Sequence, residues 1–143
     1  MSKDIYDIFE PYHYKPNHQN LFIVDWAVGS LCNFSCNYCD PLFYEGKTPW
    51  HNIDDCKRFI DFLWKNICIP KDYLLYFNIH AGEPTLWQDL DTFCEYVKRL
   101  NPNNQIRLLT NGTRNVKWWV SRSHLIDSII VCVHHGQSKN KVI

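Results

Sequence analysis

No stretch of this chain approaches the roughly 20 consecutive apolar residues that an α-helix needs to cross a bilayer, so no membrane span is expected. Residues 1–20 are polar and aromatic and lack the apolar region of a secretory signal, which points to a cytoplasmic setting. Net charge is missing too, because fifteen Lys and Arg balance fifteen Asp and Glu. No basic stripe marks the chain as a general nucleic-acid binder. Internal repeats, low-complexity tracts and linkers are absent, and 143 residues suit one domain of ordinary size. Seven cysteines make an odd count, and without a secretory signature a disulfide framework is not expected.

The most informative absence is a fourth cysteine. Cys32, Cys36 and Cys39 stand within the eight residues CNFSCNYC, and no further thiol follows at short range. Core packing does not explain three reactive sulfurs side by side. Soft thiolates hold zinc, copper(I) or iron–sulfur clusters. A four-iron cluster usually takes four thiolates, so three leave one iron with an open position, which suits chemistry better than scaffolding. Structural zinc is the rival reading, with His13, His51 or a carboxylate as fourth ligand. Cys56, Cys68 and Cys94 fall on or near apolar helical stripes and suit the core.

Residues 1–20 show no period and are expected to form an irregular arm; residues 21–143 are expected to form the domain. Residues 21–28 (LFIVDWAV) predict a buried strand that delivers the cysteine loop. Residues 41–49 are turn-rich. Residues 52–68 predict a helix capped by Asn52, with Cys56, Phe59, Ile60, Leu63 and Ile67 on one stripe and Asp54 and Asp55 at its positive end. Residues 73–79 predict a second strand. Thr85 with Gln88 forms a capping-box pattern, and Leu86, Leu90, Phe93, Cys94, Val97 and Leu100 predict a second helix. A strand at 105–109, a weak helix at about 114–121 and a strand at 129–133 complete the order. This alternation implies parallel strands in an α/β sheet or barrel. Functional loops of such folds gather at the C-terminal strand ends, where the cysteine loop, Gly82-Glu83, Thr110-Asn111-Gly112 and His134-His135 all fall.

These residues resemble a known family. CNFSCNYC fits the C-x3-C-x2-C signature of the radical S-adenosylmethionine (radical SAM) enzymes, with an aromatic residue just before the third cysteine. HAGEP resembles the family's glycine-glycine-glutamate turn after strand two, and LLTNGT its threonine-asparagine-glycine turn after strand three. The resemblance runs from about Phe22 to His135, and residues 41–50, the NGT-x-x-x-x-WW pattern at Asn111–Trp119 and the VHH stretch are similar to short members of bacteria and phages. It implies a partial (β/α) TIM-like barrel of about four parallel strands with flanking helices, C-terminally incomplete against a family core of about six strand–helix units.

The resemblance further implies that Cys32, Cys36 and Cys39 hold three irons of a [4Fe-4S] cluster while S-adenosyl-L-methionine chelates the fourth. Reductive cleavage would give methionine and a 5′-deoxyadenosyl radical for hydrogen abstraction from substrate. Tyr38 would lie near the adenine, Gly82 and Glu83 would contact the methionyl amino group, and Asn111 would join the cofactor site. The partners implied are a small-molecule or peptide substrate and a flavodoxin- or ferredoxin-like reductant, with an oligomer or a further C-terminal segment to complete the pocket. No catalytic residue is assigned; His80, His134 and His135 stay open between substrate acids and ordinary strand-end residues. Two positions depart from the family pattern: Ala81, where a first glycine is frequent, and Cys132, near a strand-four position that often carries a hydroxyl. Glu83 as a helix cap, Asn111-Gly112 as a plain turn and Trp118-Trp119 as packing are the bland readings. The alternatives to an enzyme are a zinc-stabilised α/β binding module without catalysis and a degenerate cluster-binding fragment.

Overall fold

Strand and helix alternate strictly in the computed structural model, which describes residues 20–66 and 73–133. The order is β1 (Asn20–Ala27), α1 (Ile53–Asn66), β2 (Tyr73–His80), α2 (Leu90–Leu100), β3 (Gln105–Thr110), α3 (Val116–Ser121) and β4 (Ser128–Val131). The four strands run parallel in the order β1-β2-β3-β4. Parallel neighbours need a crossover connection, and one helix lies in each. This is the partial, barrel-like sheet of four parallel strands with flanking helices expected from the sequence. The arm at residues 1–19, together with His13, Ile67, Cys68, His134 and His135, lies outside the described residues.

Alternation of side chains along the strands separates two faces of the sheet. Leu75, Phe77 and Ile79 of β2 and Ile106 and Leu108 of β3 enter one buried core with Cys56 and Ile60 of α1 and Leu90, Phe93, Cys94 and Val97 of α2. Trp26 meets Phe59, Phe77 and Phe93 there at centroid distances of 5.2, 5.7 and 5.3 Å. Trp118 and Trp119 fasten α3 against the same core, the packing role expected of that pair. The three helices therefore cover a single face.

Asn52 caps α1 as expected, its Oδ1 accepting from the N–H groups of Asp54 and Asp55 at 2.9 and 3.4 Å. The buried stripe of α1 is narrower than its periodicity implies: Cys56, Ile60 and Leu63 are buried, but Phe59 is 43% exposed. The capping box at Thr85 is not formed. Residues Pro84–Leu86 make a separate 3-10 turn, and α2 starts later, behind Asp89. Thr85 is drawn off because its hydroxyl and N–H both bond to the buried Glu83 carboxylate. β1 and β4 are not the fully buried strands their composition implies. They are the two edges of the sheet, and Ile129, Ile130 and Val131 are each 42–50% exposed.

Candidate functional site

The cysteine loop leaves β1 as an extension of the sheet, since Val28 N–H donates to His80 O at 3.2 Å. It then folds back on itself. Ser30 and Thr48 bond through Ser30 N–H to Thr48 O at 3.0 Å and Thr48 N–H to Ser30 Oγ at 2.9 Å, while Cys32 N–H reaches Tyr44 O at 3.3 Å. Asp40 caps the short 3-10 turn Pro41–Phe43 by accepting from Leu42 N–H at 2.9 Å. A tight turn closes the inner part, where Cys39 N–H donates to Cys36 O at 2.9 Å. The three thiols are thus carried on a loop pinned at both ends.

The end of β2 presses against this loop. Ala81 and Gly82 are both left-handed, at φ 71° and 56°, and Glu83 N–H donates to Leu31 O at 2.9 Å. A Cβ on Gly82 would stand 2.4 Å from Leu31 O, so only glycine admits the contact. Ala81 adopts the same unfavourable region with a methyl in place, a strained position for a residue with a Cβ.

Glu83 itself is fully buried. Its Oε1 accepts from Thr85 N–H at 3.1 Å, Thr85 Oγ1 at 2.7 Å and Thr110 Oγ1 at 2.8 Å. Its Oε2 accepts from Asn111 N–H at 2.7 Å. One carboxylate therefore ties the ends of β2 and β3, and its own N–H ties both to the cysteine loop. The cap reading for Glu83 holds in the geometry, although the turn it caps is the 3-10 turn and not α2.

Asn111 completes the connection from β3. Its Nδ2 donates to Asn33 Oδ1 at 2.7 Å and to Cys32 Sγ at 3.8 Å, and its Oδ1 accepts from Thr113 N–H and Oγ1 at 3.2 and 2.8 Å. Asn33 Nδ2 in turn donates to Thr113 Oγ1 at 3.0 Å. Cys32 Sγ also accepts from Phe34 N–H at 3.4 Å. The asparagine-glycine turn is more than a chain reversal, because its side chain addresses a thiol directly.

Cys36 is buried, whereas Cys32 and Cys39 are half-buried. Burial pushes the Cys32 thiol above its ordinary value, opposed by the Phe34 and Asn111 bonds and reinforced by Glu83 and Cys36. Desolvation raises Cys39 as well, followed by the charges of Cys36 and Asp40. Tyr38 stands 65% exposed on the same loop. Its hydroxyl is raised by desolvation, then by a hydrogen bond to Cys36 and by the charges of Cys36, Cys39 and Cys132. Cys132 reaches this edge just after β4, its N–H donating to Thr110 O at 2.8 Å. Among the described residues no three His, Cys, Asp or Glu side chains converge closely enough for a single metal ion.

The structure thus gathers Cys32, Cys36, Cys39, Tyr38, Gly82, Glu83 and Asn111 at one sheet edge, with His80 half-buried at the end of β2. Sequence reasoning gave no connecting role to Asn33, Thr85, Thr110 and Thr113, which join these groups, nor to Arg114, whose Nη2 donates to Thr85 O at 2.5 Å. Two of the four, Asn33 and Thr113, directly follow Cys32 and Gly112, and that adjacency was the available signal.

No protein-family model matches the chain. It is 30% identical over 93 residues to a GTP 3′,8-cyclase of Campylobacter curvus, covering 63% of this chain and 28% of that protein. It is 27% identical over 125 residues to an S-adenosylmethionine-dependent nucleotide dehydratase of a Fibrobacter species, covering 84% of this chain and 36% of that protein. The crystal structure of BtrN in complex with AdoMet and 2-DOIA superposes with a TM-score of 0.64 at 24% identity, over 80% of this chain and 46% of that one. The chain spans about a third of the length of the relatives it matches in sequence.

Proposed function

We propose that this chain, a member of the radical S-adenosylmethionine superfamily, binds a [4Fe-4S] cluster through Cys32, Cys36 and Cys39 and holds S-adenosylmethionine beside it, with residues 21–143 as its core domain behind an arm at 1–20. The donor set fits that group. Three thiols on one pinned loop, with no fourth cysteine in it, leave one iron for an outside ligand. In such a cluster each thiolate takes its own iron, so the three sulfurs need not meet at one point. When bound and reduced, these cofactors supply cleavage of the sulfonium to a 5′-deoxyadenosyl radical that takes hydrogen from a substrate.

The chain's own residues hold and shape that site. Gly82 lets the β2 turn lie against the cysteine loop, and the turn's backbone carbonyls are the acceptors for the methionyl ammonium. The Glu83 carboxylate keeps those carbonyls in place while remaining bonded to the fold. Asn111 restrains Cys32 and lends its thiolate a hydrogen bond. Tyr38 offers its exposed ring to the adenine. The observation that carries this reading is the connection of the β2 and β3 ends, through Glu83 and Asn111, to the loop of Cys32 that continues β1. No helix among the described residues is long and apolar enough to cross a membrane. The reading places the protein in the cytoplasm, with electrons from a flavodoxin- or ferredoxin-like protein. Two relatives named for GTP and for a nucleotide make a phosphate-bearing substrate the first to try.

Anaerobic reconstitution with iron and sulfide tests it. A broad band near about 400 nm, the region of thiolate-ligated clusters, should develop in the wild type and be lost in Cys36→Ser. A chain that takes up zinc and no cluster under these conditions overturns the proposal.

A further inference from the structure

The face of the sheet left uncovered by the helices carries a line of polar side chains. Asp25 of β1 pairs with Asn78 of β2, Asn78 with Arg107 of β3, and Arg107 with Ser128 of β4. Residues in register on parallel strands share a face, so each strand contributes one polar group to a single row. None of the four belongs to the core that α1, α2 and α3 cover. Strand composition does not ask for them, because the alternate positions of the same strands are Trp26, Ile79, Leu108 and Ile129.

The row is organised but incomplete. Asn78 Nδ2 donates to Asp25 Oδ1 at 2.6 Å, and Arg107 Nε donates to Ser128 Oγ at 3.3 Å. The Arg107 guanidinium also lies 5.1 Å from the ring centre of Tyr76, which places Tyr76 on the same face. Two polar atoms here are sealed from solvent with no hydrogen-bond partner among the described residues, Asn78 Oδ1 and Tyr76 OH, and Tyr76 is only 7% exposed. Leaving buried polar atoms unpaired is costly, and native folds do so chiefly where something else completes them. Neither Arg107 nor Asp25 forms an ion pair among the described residues.

We infer that Asp25, Asn78, Arg107 and Ser128, with Tyr76, form the substrate-recognition surface, and that the substrate is a small polar molecule bearing an anionic group. This surface lies one layer inside the strand ends that hold the cysteine loop, and its role rests on the proposed function. The guanidinium is already braced by Ser128 and set over the Tyr76 ring, and its two terminal nitrogens, unbonded among the described residues, can grip a phosphate or carboxylate in a forked pair of bonds. Asn78 Oδ1 and the Asp25 carboxylate are acceptors and call for a hydroxyl or amine elsewhere on the same molecule. Ala27, opposite His80 in the next row towards the site, adds only a methyl group beside Asp25. His80 then stands on the same face, between the row and the proposed cofactors.

Calorimetric titration of the full chain, with and without reconstitution, tests this with four probes: GTP, inorganic pyrophosphate, citrate and guanosine. At least one anionic probe should saturate the wild type, and its affinity should fall tenfold or more in Arg107→Gln, with partial recovery in Arg107→Lys. GTP or pyrophosphate as the binder identifies a phosphate ligand, and citrate alone a carboxylate. Guanosine should be indifferent to Arg107. Absence of binding by all three anions, or equal affinity in wild type and Arg107→Gln, overturns the inference. Should Arg107→Gln fail to fold, unchanged affinity in Arg107→Lys, which keeps the charge but loses the fork, overturns it as well. Cluster content is read separately by absorbance. A chain that binds the anion through Arg107 yet never loads a cluster would sink the proposed function and leave this recognition surface standing.

Discussion

Replacing Glu83 with alanine removes the shared acceptor of four donors at once. Two of them, Thr85 N–H and Asn111 N–H, are backbone groups that cannot turn to a new partner. The two hydroxyls rotate: Thr110 Oγ1 already accepts from Gly112 N–H at 3.1 Å, and Thr85 Oγ1 from Arg114 Nε at 3.3 Å. Each stranded N–H costs about 1–3 kcal/mol, and the emptied side-chain volume adds to that, so the loss should be roughly 3–5 kcal/mol, the range for breaking a buried charged network. Against a total stability of about 5–15 kcal/mol this is a large share. Glu83→Gln is the sharper probe. It keeps one acceptor oxygen and puts an amide NH2 against one set of donors, so it should lose roughly half as much, about 1.5–2.5 kcal/mol. Urea unfolding followed by circular dichroism reads both values. An alanine variant within about 1 kcal/mol of wild type, or a glutamine variant equal to it, would show that this carboxylate is not what joins the strand ends.

Three further expectations follow from the same region and the core. Ala81→Gly should stabilise the chain by roughly 0.5–1 kcal/mol, because relief of a left-handed alanine (about 1–2 kcal/mol) outweighs the added chain entropy of glycine; a lower melting temperature for this variant contradicts the strain at φ 71°. Asn111→Ala should lower the midpoint potential of a reconstituted cluster, since hydrogen bonds to the ligating sulfurs raise it, and spectroelectrochemistry showing no shift would remove Asn111 from that role. Burial pushes Cys56 up to about 11 and Cys94 up to about 12. Both thiols stay protonated at pH 8, so iodoacetamide should modify them only after denaturation, while Cys132 reacts in the folded chain; mass spectrometry of native Cys94 carrying the label would refute this packing.

Much of the fold was legible because apolar periodicity and the order of elements are local properties. The cysteine spacing was legible for the same reason. What stayed hidden depends on register and long-range competition. Thr85 reads locally as a helix cap, but a carboxylate two residues away, buried by the strands around it, binds it more strongly. Phe59 fits the helical stripe of α1, yet it lies over the edge strand β1 against Trp26 and stays 43% exposed, and β4 reads as buried although no further strand lies beyond it among the described residues. Asn111 and Cys32 are 79 residues apart, and Asn78 and Asp25 are 53 apart. Only the parallel register brings either pair together, so the bond from Asn111 to Cys32 and the polar row had no local signature, although Asn111 itself stood in a legible turn motif.

The central claim is that the loop of Cys32, Cys36 and Cys39 holds a cluster with one place kept for S-adenosylmethionine. Its most direct test is the quantity of 5′-deoxyadenosine released when the reconstituted chain is mixed anaerobically with dithionite and S-adenosylmethionine and the products are separated by chromatography. Release should require the reductant and disappear in Cys36→Ser. A chain with a full, reducible cluster that releases none would contradict it.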